Sequence, residues 1–298
     1  MEVVVVEEVP VQERNEAGAI RPGKGVRQSL LRDDAPDGLS FTVSRNTWLP
    51  GPDAATSPRH HHAFQQIRFT EDGAVNFGPD QYVLAGDIAY FPKGAYYGPQ
   101  RRESGTVITI QFGFHDEKQH GTAKWDKYQA EALDRLRARG TFEDGLFVEV
   151  DPETGERRVS DSVQALYEEQ YRAHTGNDFV VPAEGYGAAI LMHPGAFEYY
   201  EAAPGVEIRD MGRFFDHAGP DADVRFAMLR LTDGGSYSFG AERAQLAWSI
   251  SAGLRIDGRD YPRLTWIYCP RDEKLQISGV DGVELHVVEF PRLDLPPV

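Results

Sequence analysis

Arg59-His60-His61-His62-Ala63-Phe64-Gln65-Gln66-Ile67-Arg68-Phe69, closed by Thr70-Glu71-Asp72-Gly73, is the stretch on which the fold is read. It alternates with the two-residue period of a β-strand, whose successive side chains leave opposite faces. A strand here puts His60, His62, Phe64, Gln66 and Arg68 on one face, with His61, Gln65 and Phe69 on the other. Two imidazoles at i and i+2 leave the backbone about 7 Å apart and can share one divalent ion. Gln66, on the same face, offers a neutral carbonyl oxygen as a third donor. Arg68 can hold a substrate carboxylate through a bidentate contact, or form a salt bridge within the protein. His61, sent the other way, takes a structural or surface role.

Outward from this stretch the chain reads as short strands. Ser40–Val43, Gln81–Leu84, Asp87–Phe91 and Thr106–Phe112 are separated by turn signals at Gly78-Pro79-Asp80, Pro92-Lys93-Gly94 and Gly98-Pro99. Many short strands with Gly/Pro punctuation predict a sandwich or closed barrel. Residues 1–38 read as an N-terminal arm, 39–120 as a first β-barrel, 121–194 as a helical connector, and 195–298 as a second barrel of similar outline. Within the connector, helices are predicted over Ala123–Arg139, ended by Gly140, and over Ser162–Ala173, capped by Ser160-Asp161.

The net charge of −16 among 298 residues argues against nucleic acid or an anionic membrane as the main partner, since both are polyanions. A small molecule, anionic or aromatic in character, is the expected partner, with a homodimer as the expected assembly. No run approaches the roughly 18 apolar residues of a membrane-spanning helix, and the Val-rich opening reads as a strand rather than a secretory leader. The one cysteine, Cys269, fits a reducing cytoplasm and a buried structural thiol.

The histidine stretch and Gly86-Asp87-Ile88-Ala89-Tyr90-Phe91-Pro92-Lys93-Gly94-Ala95-Tyr96-Tyr97 together resemble the paired motifs of the cupin superfamily. His60 and His62 match the His-x-His of the first motif, Gln66 falls at its Glu position, Gly73 closes it, and Ala54 replaces its leading Gly. In the second motif Gly86, Pro92 and Gly94 match, Tyr97 stands where a third histidine belongs, and Arg101 where Asn belongs. The resemblance implies a mainly β, two-domain bicupin of jelly-roll barrels, with similarity to a bacterial subgroup of undefined activity. It also implies a divalent metal, Fe(II) before Mn, Zn or Ni, held by His60, His62 and Gln66, with Tyr97 and Arg68 as catalytic candidates. A metal-free functional pocket and an inert polar network remain the alternatives.

The leading expectation is a metal-dependent small-molecule enzyme of the non-haem oxygenase type, with its site in the N-terminal barrel. A redox-neutral isomerase, lyase or cyclase and a metabolite-binding protein are the rivals. Gln111 is a further candidate for the pocket. The second barrel, with Ser236-Tyr237-Ser238-Phe239 where a His-x-His would stand, reads as structural. His193 and His217 lie in separate loops, and His115, His120, His174 and His286 show no pattern. No nucleophile elbow, phosphate-cradling loop or Cys-x-x-Cys pair is present.

Overall fold

Runs such as Thr106-Val107-Ile108-Thr109-Ile110, β-branched throughout and bounded by glycine, favour the extended backbone because branched side chains pack well on a pleated surface. In the computed structural model the chain is accordingly mainly β, with antiparallel pairing between its strands. The described residues are 1–14, 20, 23–34, 38–50, 54–102, 104–114, 126–215, 221–232, 234–280 and 282–292. The chain divides into two units, Val11–Leu191 and Met1–Pro10 with Met192–Val298.

Five strands of the first unit matter for the site: β1 (Gly25–Asp34), β2 (Leu39–Trp48), β3 (Gln65–Gly78), β4 (Ile88–Phe91) and β5 (Gly105–Phe114). They lie side by side in the order β4-β3-β5-β2-β1. Register fixes what shares a face, because directly opposed residues of antiparallel strands point the same way. On one face Ile67, Ile110 and Val43 are paired in a row and fully buried. On the other, Gln66, Gln111 and Thr42 form one row, and Arg68, Thr109 and Ser44 the next. Thr109 and Gln111 keep solvent access although they sit in mid-sheet between two paired strands, while Ile108 and Ile110 do not. The polar face therefore lines an accessible space.

Two helices, α1 (Gln129–Arg139) and α2 (Ser162–Thr175), also belong to this unit. Ala132 and Leu136 of α1 meet Ala165 and Leu166 of α2 over Phe147. Asp161 caps α2 by accepting from the Val163 and Gln164 amides at 3.0 and 2.9 Å, and Gly176 ends it with φ 75°. The start of the first helix predicted from Ala123 lies outside the described residues, and its end is the expected one, Arg139 with Gly140 as C-cap; that glycine is extended and leads directly into the strand Gly140–Glu143. On α2 buried Glu169 receives Arg139 and Arg172 at 2.6 and 2.7 Å, with Arg135 at 3.5 Å.

The units do not part where the sequence suggested. Within 1–38, Glu2–Val5 pairs with Thr265–Cys269 of the second unit, while Gly25–Asp34 is a full strand of the first. Both are strand-forming runs with unsatisfied edges to meet, so neither remains an arm. The stretch 121–194 likewise supplies helices and a three-stranded sheet to the first unit up to Leu191.

The second unit has a seven-stranded and a four-stranded sheet facing each other. Leu229, Ala247, Ile267, Leu285 and Val287 from one meet Phe239, Leu254, Ile256 and Ile277 from the other, so its interior is filled with apolar side chains. Cys269 belongs to this packing, and burial pushes its thiol up. On the far face of the larger sheet His286 lies beside Trp248, 4.8 Å between rings, and burial pushes its pKa down to about 3. The unfolded chain, with an ordinary histidine, therefore binds the extra proton, and stability present above pH 6.5 is lost as pH falls toward 3. The expected loss is about 1.4 kcal/mol per pH unit, or about 2 kcal/mol between pH 6.5 and 5. Urea midpoints followed by tryptophan fluorescence should show it, and His286→Leu should flatten the dependence; a midpoint equal at both pH values in the parent protein would contradict it.

Candidate functional site

The regular strand begins at Gln65, later than the alternation suggested. His60 instead makes an isolated bridge with Tyr97, each amide donating to the other's carbonyl at 3.0 Å. The His62 carbonyl accepts from the Gly94 amide at 2.8 Å. The segment thus takes its partner from the second motif rather than from the sheet, so the predicted side-chain alternation is set by these bonds. Its outcome is nevertheless the expected one. His60 and His62 are buried with ring centroids 5.0 Å apart, and His61 turns away to stack on Tyr96 at 4.1 Å.

Two glycines permit this approach. Gly98 has φ 96°, and a Cβ there would lie 2.8 Å from the Pro58 carbonyl. That carbonyl accepts from His60 Nδ1 at 2.7 Å, which fixes the ring and leaves its lone pair on Nε2. Gly94, at φ 75°, would set a Cβ 2.7 Å from the Pro182 carbonyl.

Tyr97 ties the histidines to the sheet. Its ring lies 4.4 Å from His60 and 4.7 Å from Phe91, and its hydroxyl reaches Gln66 at 3.3 Å and Arg68 at 3.4 Å. In the orientation of the Gln66 amide that sets its acceptor against donors, the oxygen accepts from Arg68 Nη2 and Nε at 3.0 and 3.1 Å as well as from Tyr97, and its NH2 faces Gln111 at 3.0 Å. The Arg68 guanidinium, 3 % exposed, also lies over the Phe91 and Tyr97 rings at 4.4 and 5.0 Å. The sequence-predicted residues His60, His62, Gln66, Arg68, Tyr97 and Gln111 are therefore one connected group.

A residue the sequence did not single out completes the group. Tyr167 of α2 meets His62 at 5.6 Å and Phe64 at 5.8 Å, each edge-on, while His62 and Phe64 stack at 4.5 Å. Its only sequence signal was a place among the apolar positions of an amphipathic helix, which reads as core.

These contacts test the implied metal. The His60 bond to Pro58 and the spacing of the two rings suit a shared ion. Gln66 does not: turned toward its donors, the oxygen meant for a metal carries two from the cationic Arg68 guanidinium besides the Tyr97 hydroxyl. Among the described residues no three His, Cys, Asp or Glu side chains are placed to hold a metal. Two neutral imidazoles beside a buried positive charge do not fit a resident divalent ion, because nothing in the set offsets the added charge.

His193 precedes a short turn at Pro194–Ala196, His174 lies 4.8 Å from the Tyr128 ring, and Arg101 bonds through its amide to Asn76. His115, His120 and His217 lie outside the described residues. Two surface grooves of about 760 and 540 Å³ open elsewhere on the first unit, and of the site residues only Tyr97 reaches either. Burial pushes the His61 pKa below its ordinary value. Since its stacking partner Tyr96 lies on the surface, His61→Ala should leave ligand affinity within about twofold of the parent by calorimetry and cost less than about 1 kcal/mol of stability.

The site thus sits at one end of a polar sheet face in a mainly antiparallel β unit, followed by a second such unit with a filled interior. That arrangement is the bicupin fold. No protein-family model and no curated protein sequence matches the chain. Among solved structures it is similar to a candidate dioxygenase of Nostoc punctiforme, at 11% identity and TM-score 0.58, covering 97% of this chain and 82% of that one. It is also similar to oxalate decarboxylase of Bacillus subtilis, at 14% identity and TM-score 0.52, covering 98% and 78%. Both are two-domain cupins, and the likeness is one of fold. No helix among the described residues is long and apolar enough to cross a membrane.

Proposed function

We propose that the first unit is the active unit of a redox-neutral enzyme acting on a small carboxylate-bearing molecule without a resident metal. The observation that carries this reading is the Arg68 guanidinium, buried and held rigidly by Gln66, Tyr97 and two aromatic faces, on the same sheet face as Thr109 and Gln111, which keep solvent access. A planar guanidinium so fixed matches a carboxylate bidentately. The bicupin likeness to two proteins described as enzymes supports a catalyst over an inert network.

Arg68 anchors the carboxylate, and Tyr97 and Gln66 orient the guanidinium toward it. His62, confined between Phe64, Tyr97 and Tyr167, is the acid/base: it takes a proton from a carbon near the carboxylate and returns one at another position. Returned to another carbon, the proton completes an isomerisation; delivered to a departing hydroxyl, which leaves with its bonding pair as water, it completes an elimination, and neither needs an oxidant. Oxygenase chemistry was the leading expectation from the resemblance; it lacks support here because Gln66 serves Arg68 rather than a metal.

The test is turnover of a panel of hydroxy and unsaturated carboxylic acids by protein purified without chelator, before and after exhaustive chelation. Turnover that survives chelation and is lost in His62→Ala supports the reading. Turnover that needs Fe(II) or Mn(II) refutes it. Carboxylate binding with no turnover across the panel would assign the site to a binding protein.

A further inference from the structure

A second arginine faces the same polar surface and has no role in the site described so far. Arg27 of β1 is opposed to Asn46 of β2, which places it on the face of Thr42 and Ser44 and so of Gln66 and Arg68. It is half-buried, and its Nε is shielded from solvent with no hydrogen-bond partner. A buried donor left without a partner is costly, which is reason to ask what completes it. The charged and titratable groups acting on it are Tyr167, the residue that also meets His62, and Asp126. Asp126 already pairs with Arg32 at 2.8 Å. Burial lowers the Arg27 pKa, and those two groups oppose the shift.

Between Arg27 and Arg68 the face carries the neutral hydrogen-bonding groups Asn46 and Ser44 on β2 and Thr109 on β5, beside the buried Val107. The two arginines stand three strand spacings apart and two residues off register, about 16 Å at the backbone; the Arg68 side chain leans toward Phe91 of β4, so the Arg27 side chain and the ligand span the distance. We propose that the first unit binds an elongated molecule with an anionic group at each end, in the simplest case a dicarboxylate, with Arg68 holding one end and Arg27 the other. The inference rests on the reading of Arg68 as a carboxylate anchor. It goes further in naming the substrate as a dianion whose two charges are separated by a chain, and in giving β1 a part in recognition.

Calorimetry with adipate and hexanoate tests it, since the two have the same chain length and differ in the second carboxylate. The parent protein is expected to bind adipate about tenfold or more tighter than hexanoate, one charge-assisted contact being worth that much. Arg27→Gln should collapse the ratio toward one, and Arg27→Lys, which keeps the charge, should restore part of it; circular dichroism confirms that both variants fold. A parent protein that does not prefer adipate overturns the proposal. So does an Arg27→Gln variant with the parent ratio. If Arg68→Gln still loses affinity for both acids in that case, the proposal alone has failed. If Arg68→Gln binds both acids as the parent does, the anchor reading fails with it.

Discussion

Arg68→Gln is expected to weaken binding of hexanoate, and of any carboxylate that the site accepts, by about 10- to 100-fold, the worth of a charge-assisted bidentate contact made by a preorganised guanidinium. Arg68→Lys should recover little of it, because an ammonium is a point charge that cannot reproduce the planar pair of N–H donors. The change should be specific to the carboxylate: the Gln66 oxygen and the Tyr97 hydroxyl, which now accept from Arg68, lose a donor but keep each other. Calorimetry with hexanoate measures the effect, and circular dichroism confirms that the variants fold. Affinity within threefold of the parent in Arg68→Gln would remove Arg68 from recognition.

The largest effect on stability is expected away from the site. Glu169 is 1% exposed and takes charge-assisted hydrogen bonds from Arg139 and Arg172, with Arg135 close by, joining α1 to α2. Glu169→Ala removes the common acceptor and leaves partly desolvated guanidinium groups facing one another, and breaking such a buried arrangement costs about 3–5 kcal/mol. Because α2 carries Tyr167 against His62, the loss should extend to the ligand. Thermal unfolding with and without adipate would show both effects. Glu169→Gln, which keeps the hydrogen-bonding oxygen but not the charge, should fall between the parent and the alanine variant. An unchanged melting temperature in Glu169→Ala would contradict the account of the helix pair.

Much of this arrangement was legible in the sequence. Local signals placed the strands, since β-branched runs between Gly and Pro turns leave little conformational choice, and Asp161 announced the helix it caps. The two motif stretches meet, with His60 opposite Tyr97, as their resemblance to the cupin pattern implied. The chemistry of the match was less visible. Nothing local to Gln66 reveals that its oxygen faces a guanidinium two residues along the same strand rather than a metal; the orientation of one amide depends on Tyr97, Arg68 and Gln111 together. Arg27 was hidden because β1 lies in a segment whose polar neighbours suggested an arm, and its face is set only by pairing with Asn46. Tyr167 was hidden because an aromatic at a core position of a helix reads as packing.

The central claim is that the Arg68 guanidinium, and not a metal, holds the substrate's carboxylate. The direct measurement is calorimetric titration of adipate into the parent protein before and after exhaustive chelation. The account predicts the same affinity, within about twofold, in both. Binding abolished by chelation and restored by Fe(II) or Mn(II) would contradict it.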